Sequence, residues 1–356
     1  MTATMRAMVL TGHGGLDRYA WRTDWPRPEP EPGEVLVRVR ACGLNNTDVN
    51  TRTGWYSSAV TGATGDAAGP AGDAPSWGGT PIVFPRIQGA DVCGRIVAVG
   101  AGVDPARIGQ RIVADTWLRD PAAPADAAKA GYLGSERDGG FAEFCTLPGG
   151  NALAIDSPLT DAELATFPCS YSTAEGMLAR AGVMAGDTVL VTGASGGVGS
   201  ALVQLAKRRG ARVIAMAAPE KHPALAALGA DRMLPRAPAD PRAALAGERI
   251  TVLADVVGGP AWPAPIDTLE RGGRYVCSGA IAGPVVPLDL RVLYLRDLTF
   301  TGSTFLAPAT MRAVVGYIER GEIAPILAAA YPLQELAAAQ TAFMAKRHVG
   351  NIVVTP

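Results

Sequence analysis

The residues with the clearest chemical purpose run from Val189 to Gly199, VLVTGASGGVG, and continue as SALVQLAKRRG. They read as an apolar strand, a glycine-rich turn and an amphipathic helix. Val198, Ala201, Leu202, Leu205 and Ala206 mark the helix by their three-and-four spacing. Lys207, Arg208 and Arg209 sit at its negative end and Gly210 stops it. Gly196, Gly197 and Gly199 leave backbone N–H groups open to close approach by an anion, where the helix dipole also favours negative charge. A pyrophosphate is the group that such a turn cradles. Ser195, Gly196, Gly197 and Val198 are therefore candidate contacts, with Ala194 at the first glycine position of the dinucleotide fingerprint. Glycine-rich turns also join strands to helices for steric reasons alone; the flanking elements and a second strand about 20 residues on favour the dinucleotide.

That second strand bears on which dinucleotide. An acidic residue at its end would bind a ribose 2′-hydroxyl, but Arg212 to Ala218, RVIAMAA, ends in alanines and Lys221 follows. A 2′-phosphate meets no carboxylate there and has Lys221 as a candidate cation. NADPH is the expected cofactor, with Glu220 the residue that opposes this reading.

These residues need a scaffold, and the rest of the chain supplies two kinds. After Asp187, strands and helices alternate (TVLVT, RVIAMA, RML, VLADVV, RYVCSGA), the pattern of a parallel sheet covered by helices on both faces. Before it, Met5 to Leu10 and Glu34 to Ala41 alternate apolar and polar residues about the Pro-rich turn Pro26 to Gly33. Short strand-like runs follow at Cys93 to Val99, Arg111 to Ala114 and Phe141 to Leu147, giving a β-rich half. Residues 57–81, rich in Gly, Ala, Ser and Pro, read as a long loop, either a surface insertion or an active-site lid in which Trp77 is the one large docking group. The last run, NIVVT, has no place in the parallel sheet and is expected to return to the first domain.

A length of 356 residues suits two domains. A net charge of −1 with 18% charged residues supplies no basic field for nucleic acid or an anionic membrane. No apolar run is long enough to span a bilayer, and the start lacks a secretory h-region, so a cytoplasmic protein is expected. The five cysteines form no C-x-x-C pair and are odd in number, which argues against a disulfide framework and a zinc knuckle.

Taken in order, GEVLVRVRACGLNNTDVNTRTGWY (Gly33 to Tyr56), IQGADVCGRIVAVGAGV (Ile87 to Val103), GGFAEFCTLP (Gly139 to Pro148), FPCSYSTAEGML (Phe167 to Leu178) and the glycine turn resemble the medium-chain dehydrogenase/reductase superfamily. Within it, they resemble the zinc-independent quinone oxidoreductase and enoyl reductase branch. The resemblance covers nearly the whole chain. It implies an α/β architecture: a GroES-like β-rich catalytic domain over 1–155, a Rossmann doubly wound parallel-sheet domain over 156–305, and a 306–356 tail returning to the first. It also implies homodimers paired through a strand around Leu298 to Gly302.

Zinc members of the family hold their metal through three side chains, and those positions look like Asn45, Ala90 and Cys169 here. The stretch Thr116 to Tyr132, which matches the structural-zinc lobe, has no cysteine. No metal is expected. In similar enoyl reductases a run ending in Gly-x-Tyr carries the catalytic tyrosine, which makes Tyr56 the candidate acid and Asn45 and Asn50 candidate orienting groups. Asp48 and Arg52 have a spacing suited to an ion pair within a helical turn. By the same resemblance Thr173, Val257, Gly258, Gly279 and Ala280 border the cofactor, with Thr304, Phe305 and Asn351 as further contacts.

The implied reaction is hydride transfer from NADPH to a C=C conjugated with a carbonyl, in an enone, quinone or related natural product. A zinc-free alcohol or carbonyl oxidoreductase shares every cofactor feature, and a non-catalytic NADPH-binding protein is the alternative outside the enzymes.

Overall fold

The computed structural model describes residues 3–65, 81–236 and 238–356. Most of the 57–81 loop, with Trp77, lies outside them.

The β-rich half is built on the long strand Glu34–Gly43. It pairs antiparallel with Asp91–Val99 on one side, with Phe144–Pro148 along its first half, and with Asn351–Thr355 near its end. The order continues through Arg111–Ala114 and Ala152–Ala154 on one flank and Leu327–Pro332 on the other, making seven strands. NIVVT thus completes the first domain's sheet. A second sheet joins Thr4–Leu10 to Tyr19–Pro26 and Arg86–Ile87. Tyr19–Pro26 was not anticipated, although Trp21 and Trp25 alternate with Arg22 and Asp24; none of its residues is fully buried and it closes on Pro26.

The nucleotide-type half is a six-stranded, wholly parallel sheet in the order Arg232–Leu234, Arg212–Met216, Thr188–Val191, Ile250–Asp255, Leu269–Cys277, Thr299–Gly302. Helices Pro168–Arg180 and Gly197–Arg208 cover one face, burying Tyr171, Met177, Leu202 and Leu205 with Val189 and Val213. That core also takes in Ala41, Cys93, Val113 and Val353 from the first domain and Met311, Val314 and Ile318 from the helix Thr310–Glu319. The junction between the halves is therefore continuous hydrophobic packing. Among the described residues no helix is long and apolar enough to cross a membrane.

One helix lies inside the β-rich half where the sequence shows no helical period: Asn46–Thr53, NTDVNTRT. Its composition is poor for a helix. Its ends supply what its composition lacks: Asp48 accepts the Asn45 backbone N–H at 2.7 Å, and Gly54 closes it in the left-handed region at φ 71°. Asp48 and Arg52 do not pair. Arg52 donates instead to Gln340 and to the carbonyl of Gly14, since the helix packs against chain from both termini.

Candidate active site

Three loops converge where the two halves meet: the start of helix Asn46–Thr53, the start of helix Pro168–Arg180, and the glycine turn.

The turn fits a phosphate in its details. Gly193, at φ 57°, makes the left-handed bend, so the tight-turn role falls here and not at Ala194. Ala194 is fully buried with its N–H given to Met216, packing the turn from beneath instead of facing a ligand. A Cβ on Gly199 would lie 2.2 Å from the Gly193 carbonyl, which shows how closely helix and strand approach. Gly196 precedes the helix and is exposed, a Cβ there would meet the Gly193 carbonyl at an ordinary 3.7 Å, and no side chain among the described residues caps the helix start. The first-turn N–H groups are thus left for an anion. Asn351 also lies behind the turn: it is 4% exposed and donates its amide to Thr166 and Ser170, with Gly197 against its oxygen. It braces the turn and does not face a ligand.

Val257, Gly258, Gly279 and Ala280 lie at the ends of neighbouring strands on the same side of the sheet. Asp255, absent from the sequence expectations, fixes the first two by accepting Val257 N–H at 2.8 Å and Gly258 N–H at 3.3 Å, while Tyr275 donates to its other oxygen at 3.0 Å. Across the cleft, the Thr64 N–H reaches the Ile281 carbonyl at 2.9 Å, so the described start of the long loop touches this rim.

Lys221 differs from its expected role as a solvated or phosphate-facing cation. It is 5% exposed, and its ammonium reaches the carbonyls of Lys346 at 2.6 Å and His348 at 2.9 Å and the Ser195 hydroxyl at 3.4 Å. Three acceptors occupy its three hydrogens. The cation at the end of the second strand is instead Arg236. It follows the strand that pairs Met216 with Leu234, is exposed, and is near enough for its charge to act on Lys221. Register across two strands, not adjacency in sequence, is the signal that identifies it.

On the catalytic side, Tyr56 is half-buried, with Thr47 and Asn50 as hydrogen-bonding side chains and Cys169 nearby. Burial pushes its phenol up to about 12, so it holds its proton at neutral pH. The Asn50 side-chain oxygen is buried and has no partner. Asn45 is committed elsewhere: its amide donates to Asp91 at 2.9 Å, and the other Asp91 oxygen accepts the Cys169 N–H at 2.7 Å. Asn45 and Asp91 thereby tie the starts of helices Asn46–Thr53 and Pro168–Arg180 together. Burial raises Asp91 to about 8 and Asp48 to about 7. The Cys169 thiol is pushed up by burial and then by Asp91, and has Tyr132 and Thr173 as hydrogen-bonding neighbours; it is a protonated wall residue. Phe305 stacks edge-on against Trp117 at 5.1 Å, and Trp117 against Tyr132 at 5.2 Å, which places Phe305 with an aromatic wall. Thr304, beside it, is exposed.

A catalytic zinc does not fit these residues. Ala90 has no donor atom, Asn45 turns its N–H toward Asp91, and Cys169 alone supplies sulfur. Among the described residues no group of three or more His, Cys, Asp or Glu converges as a metal site. In place of a zinc lobe, Trp117–Leu118 pairs with Gly131–Tyr132, and Lys129 pairs with Asp120.

Comparison with known proteins agrees with this geometry. Residues 31–157 match the model of the alcohol dehydrogenase GroES-like domain, and residues 197–320 match that of the zinc-binding dehydrogenases. The chain is 48% identical to a candidate alcohol dehydrogenase from Sinorhizobium meliloti 1021 of known structure, covering 100% of this chain and 98% of that one with a TM-score of 0.91. It is 29% identical to an acryloyl-coenzyme A reductase of Metallosphaera sedula over 99% of this chain and 100% of the relative. It is 26% identical to a chloroplastic NADPH-dependent alkenal/one oxidoreductase of Arabidopsis thaliana, over 99% and 80% respectively. The chain belongs to the medium-chain dehydrogenase/reductase superfamily, and these three relatives carry oxidoreductase names.

Proposed function

We propose that the protein is a zinc-independent, NADPH-dependent reductase of a C=C conjugated with a carbonyl. The observation that carries this reading is the replacement of the metal ligand set by a protonated phenol, Tyr56, backed by Asn50 and Thr47 beside the Cys169 wall. Bound NADPH supplies the hydride. Tyr56 donates a hydrogen bond to the substrate carbonyl oxygen and yields its proton as the enolate forms after hydride reaches the β-carbon. Asn50 and Thr47 then hydrogen-bond the phenolate. Asn45 acts one step back, holding the helix start and Asp91. The Metallosphaera and Arabidopsis relatives, whose names specify an acryloyl thioester and alkenals or enones, support this substrate class.

NADPH is favoured by the alanine-ended second strand with Arg236 beside it, where the 2′-phosphate would lie. The edge strand Thr299–Gly302 pairs on one side only, next to exposed Val285, Leu290, Tyr294 and Leu295, which suits a homodimer. The deciding experiment is product analysis with enones and enoyl thioesters. A saturated product with its carbonyl retained is expected. An alcohol product would reject the proposal in favour of a zinc-free carbonyl reductase, the reading suggested by the Sinorhizobium relative.

A further inference from the structure

The C-terminal segment 346–350 is laced to the glycine turn. Gly350 donates its N–H to the Ser195 carbonyl at 2.9 Å, Gly196 and Gly350 form a bridge, and Lys221 holds the carbonyls of Lys346 and His348. Lys346 itself has φ 51°, a left-handed conformation that a residue with a Cβ adopts only when its surroundings impose it. Its ammonium lies 3.6 Å from the centroid of the Phe343 ring and donates to the Asn46 side-chain oxygen at 2.9 Å. Every partner of these two lysines is neutral. Neither forms an ion pair among the described residues, although Lys221 is buried and Lys346 half-buried.

Positive charge is therefore gathered with no ion-pairing carboxylate among the described residues, the Glu220 carboxylate acting on Lys221 only from a distance. Lys346 is lowered to about 7 by burial and then by Lys221. His348 is lowered to about 4 by burial, then by Lys346 and Lys221. A cation withdrawn from water is costly unless paired, so an arrangement that holds one buried and one half-buried lysine against neutral atoms is suited to receive an anion. Its position says which one. Asn46 opens the helix that carries Asn50 and leads to Tyr56, whereas Ser195 and Gly196 open the nucleotide-side helix. A group bridging both must cross the cleft between the ribose at the strand ends and the ring at Tyr56. In a dinucleotide that group is the diphosphate.

We propose that Lys346 is a ligand of the cofactor diphosphate, presented by a C-terminal segment that Lys221 ties to the glycine turn. Lys221 is thus a positioning residue, holding residues 346–350 against the turn. The proposal rests on the dinucleotide reading of the turn, and its test separates the two.

Binding is measured by calorimetry on the full chain with NADPH, NADH, ADP-ribose (which carries the diphosphate without the 2′-phosphate or the reduced ring) and AMP, which lacks the diphosphate. Lys346→Met should weaken NADPH, NADH and ADP-ribose alike, by about 10- to 100-fold, and leave AMP nearly unchanged. Lys346→Arg should retain most of the affinity. The melting temperature of ligand-free Lys346→Met should be unchanged or higher, because an uncompensated buried charge has been removed. That of Lys221→Met should fall, since three acceptors lose their donor. Unchanged ADP-ribose affinity in Lys346→Met would overturn the proposal and leave the dinucleotide site standing. A lowered melting temperature with loss of all four ligands would make Lys346 merely structural. Failure of the wild-type chain to bind any of the four would overturn both readings.

Discussion

The glycine turn and the Tyr56 pocket face each other across one cleft, yet they handle charge in opposite ways. At the turn the donors are backbone N–H groups without a side-chain cap, beside lysines that form no ion pair among the described residues. This suits an anion that carries its charge throughout. In the Tyr56 pocket Tyr56, Cys169, Asp91 and Asp48 are all shifted toward their protonated forms by burial. This suits the proposed reaction, in which charge exists only briefly and a phenolic proton meets it. A site for permanent charge tolerates open donors; a site for transient charge must keep its own groups uncharged until the reaction calls on them.

This contrast is open to direct attack. The largest effect should come from Gly199→Ala, whose Cβ would lie 2.2 Å from the Gly193 carbonyl and 2.7 Å from the Ala194 Cα. Helix and strand must separate, at a cost of about 2–4 kcal/mol in stability, with loss of measurable nucleotide binding. Denaturant unfolding and calorimetry would check both, and full affinity in this variant would dissolve the turn's role. Next, Tyr56→Phe should lower kcat roughly 10²-fold or more with the NADPH dissociation constant unaltered. A variant that also lost NADPH would merge the two regions into one.

A smaller change is expected for Arg236→Ala: NADPH affinity should drop about tenfold while NADH affinity holds, because only the 2′-phosphate loses a partner. Equal losses for both nucleotides would move Arg236 off the 2′-phosphate. The smallest effect is an absence of change with pH. Because burial raises the Tyr56 phenol to about 12, its acid form persists, and kcat should stay level from about pH 9 to about pH 10.5. A decline centred near the ordinary phenol value of about 10 would mean that water reaches the pocket.

Much of the fold was legible because it is written in short-range pattern. Alternation marked the strand from Glu34, a short strand-like run marked Arg111–Ala114, and the strand, turn and helix around Gly196 were placed by apolar spacing and glycine chemistry. Helix Asn46–Thr53 escaped because its stability comes from its ends and its packing and not from its residues. The candidate site was legible where a residue's type limits what it can do, as with Ala90, which has no donor atom. It was misread where a long side chain had several partners to choose from. Lys221 was read as a solvent or phosphate lysine, and Arg52 as a partner of Asp48 four residues away; each instead reaches chain far off in sequence.

The sequence by itself determined the two-domain α/β architecture, the phosphate-type turn and the broken metal ligand set, because backbone hydrogen bonding, side-chain periodicity and the presence or absence of a donor atom are local properties. Only the tertiary structure decided that Lys221 bonds to residues 125 and 127 positions away, that Arg236 comes near enough for its charge to act on Lys221, and that Asn45 serves Asp91. Those choices depend on which distant groups arrive within hydrogen-bonding distance once the core has closed. No pattern read along the chain contains that information.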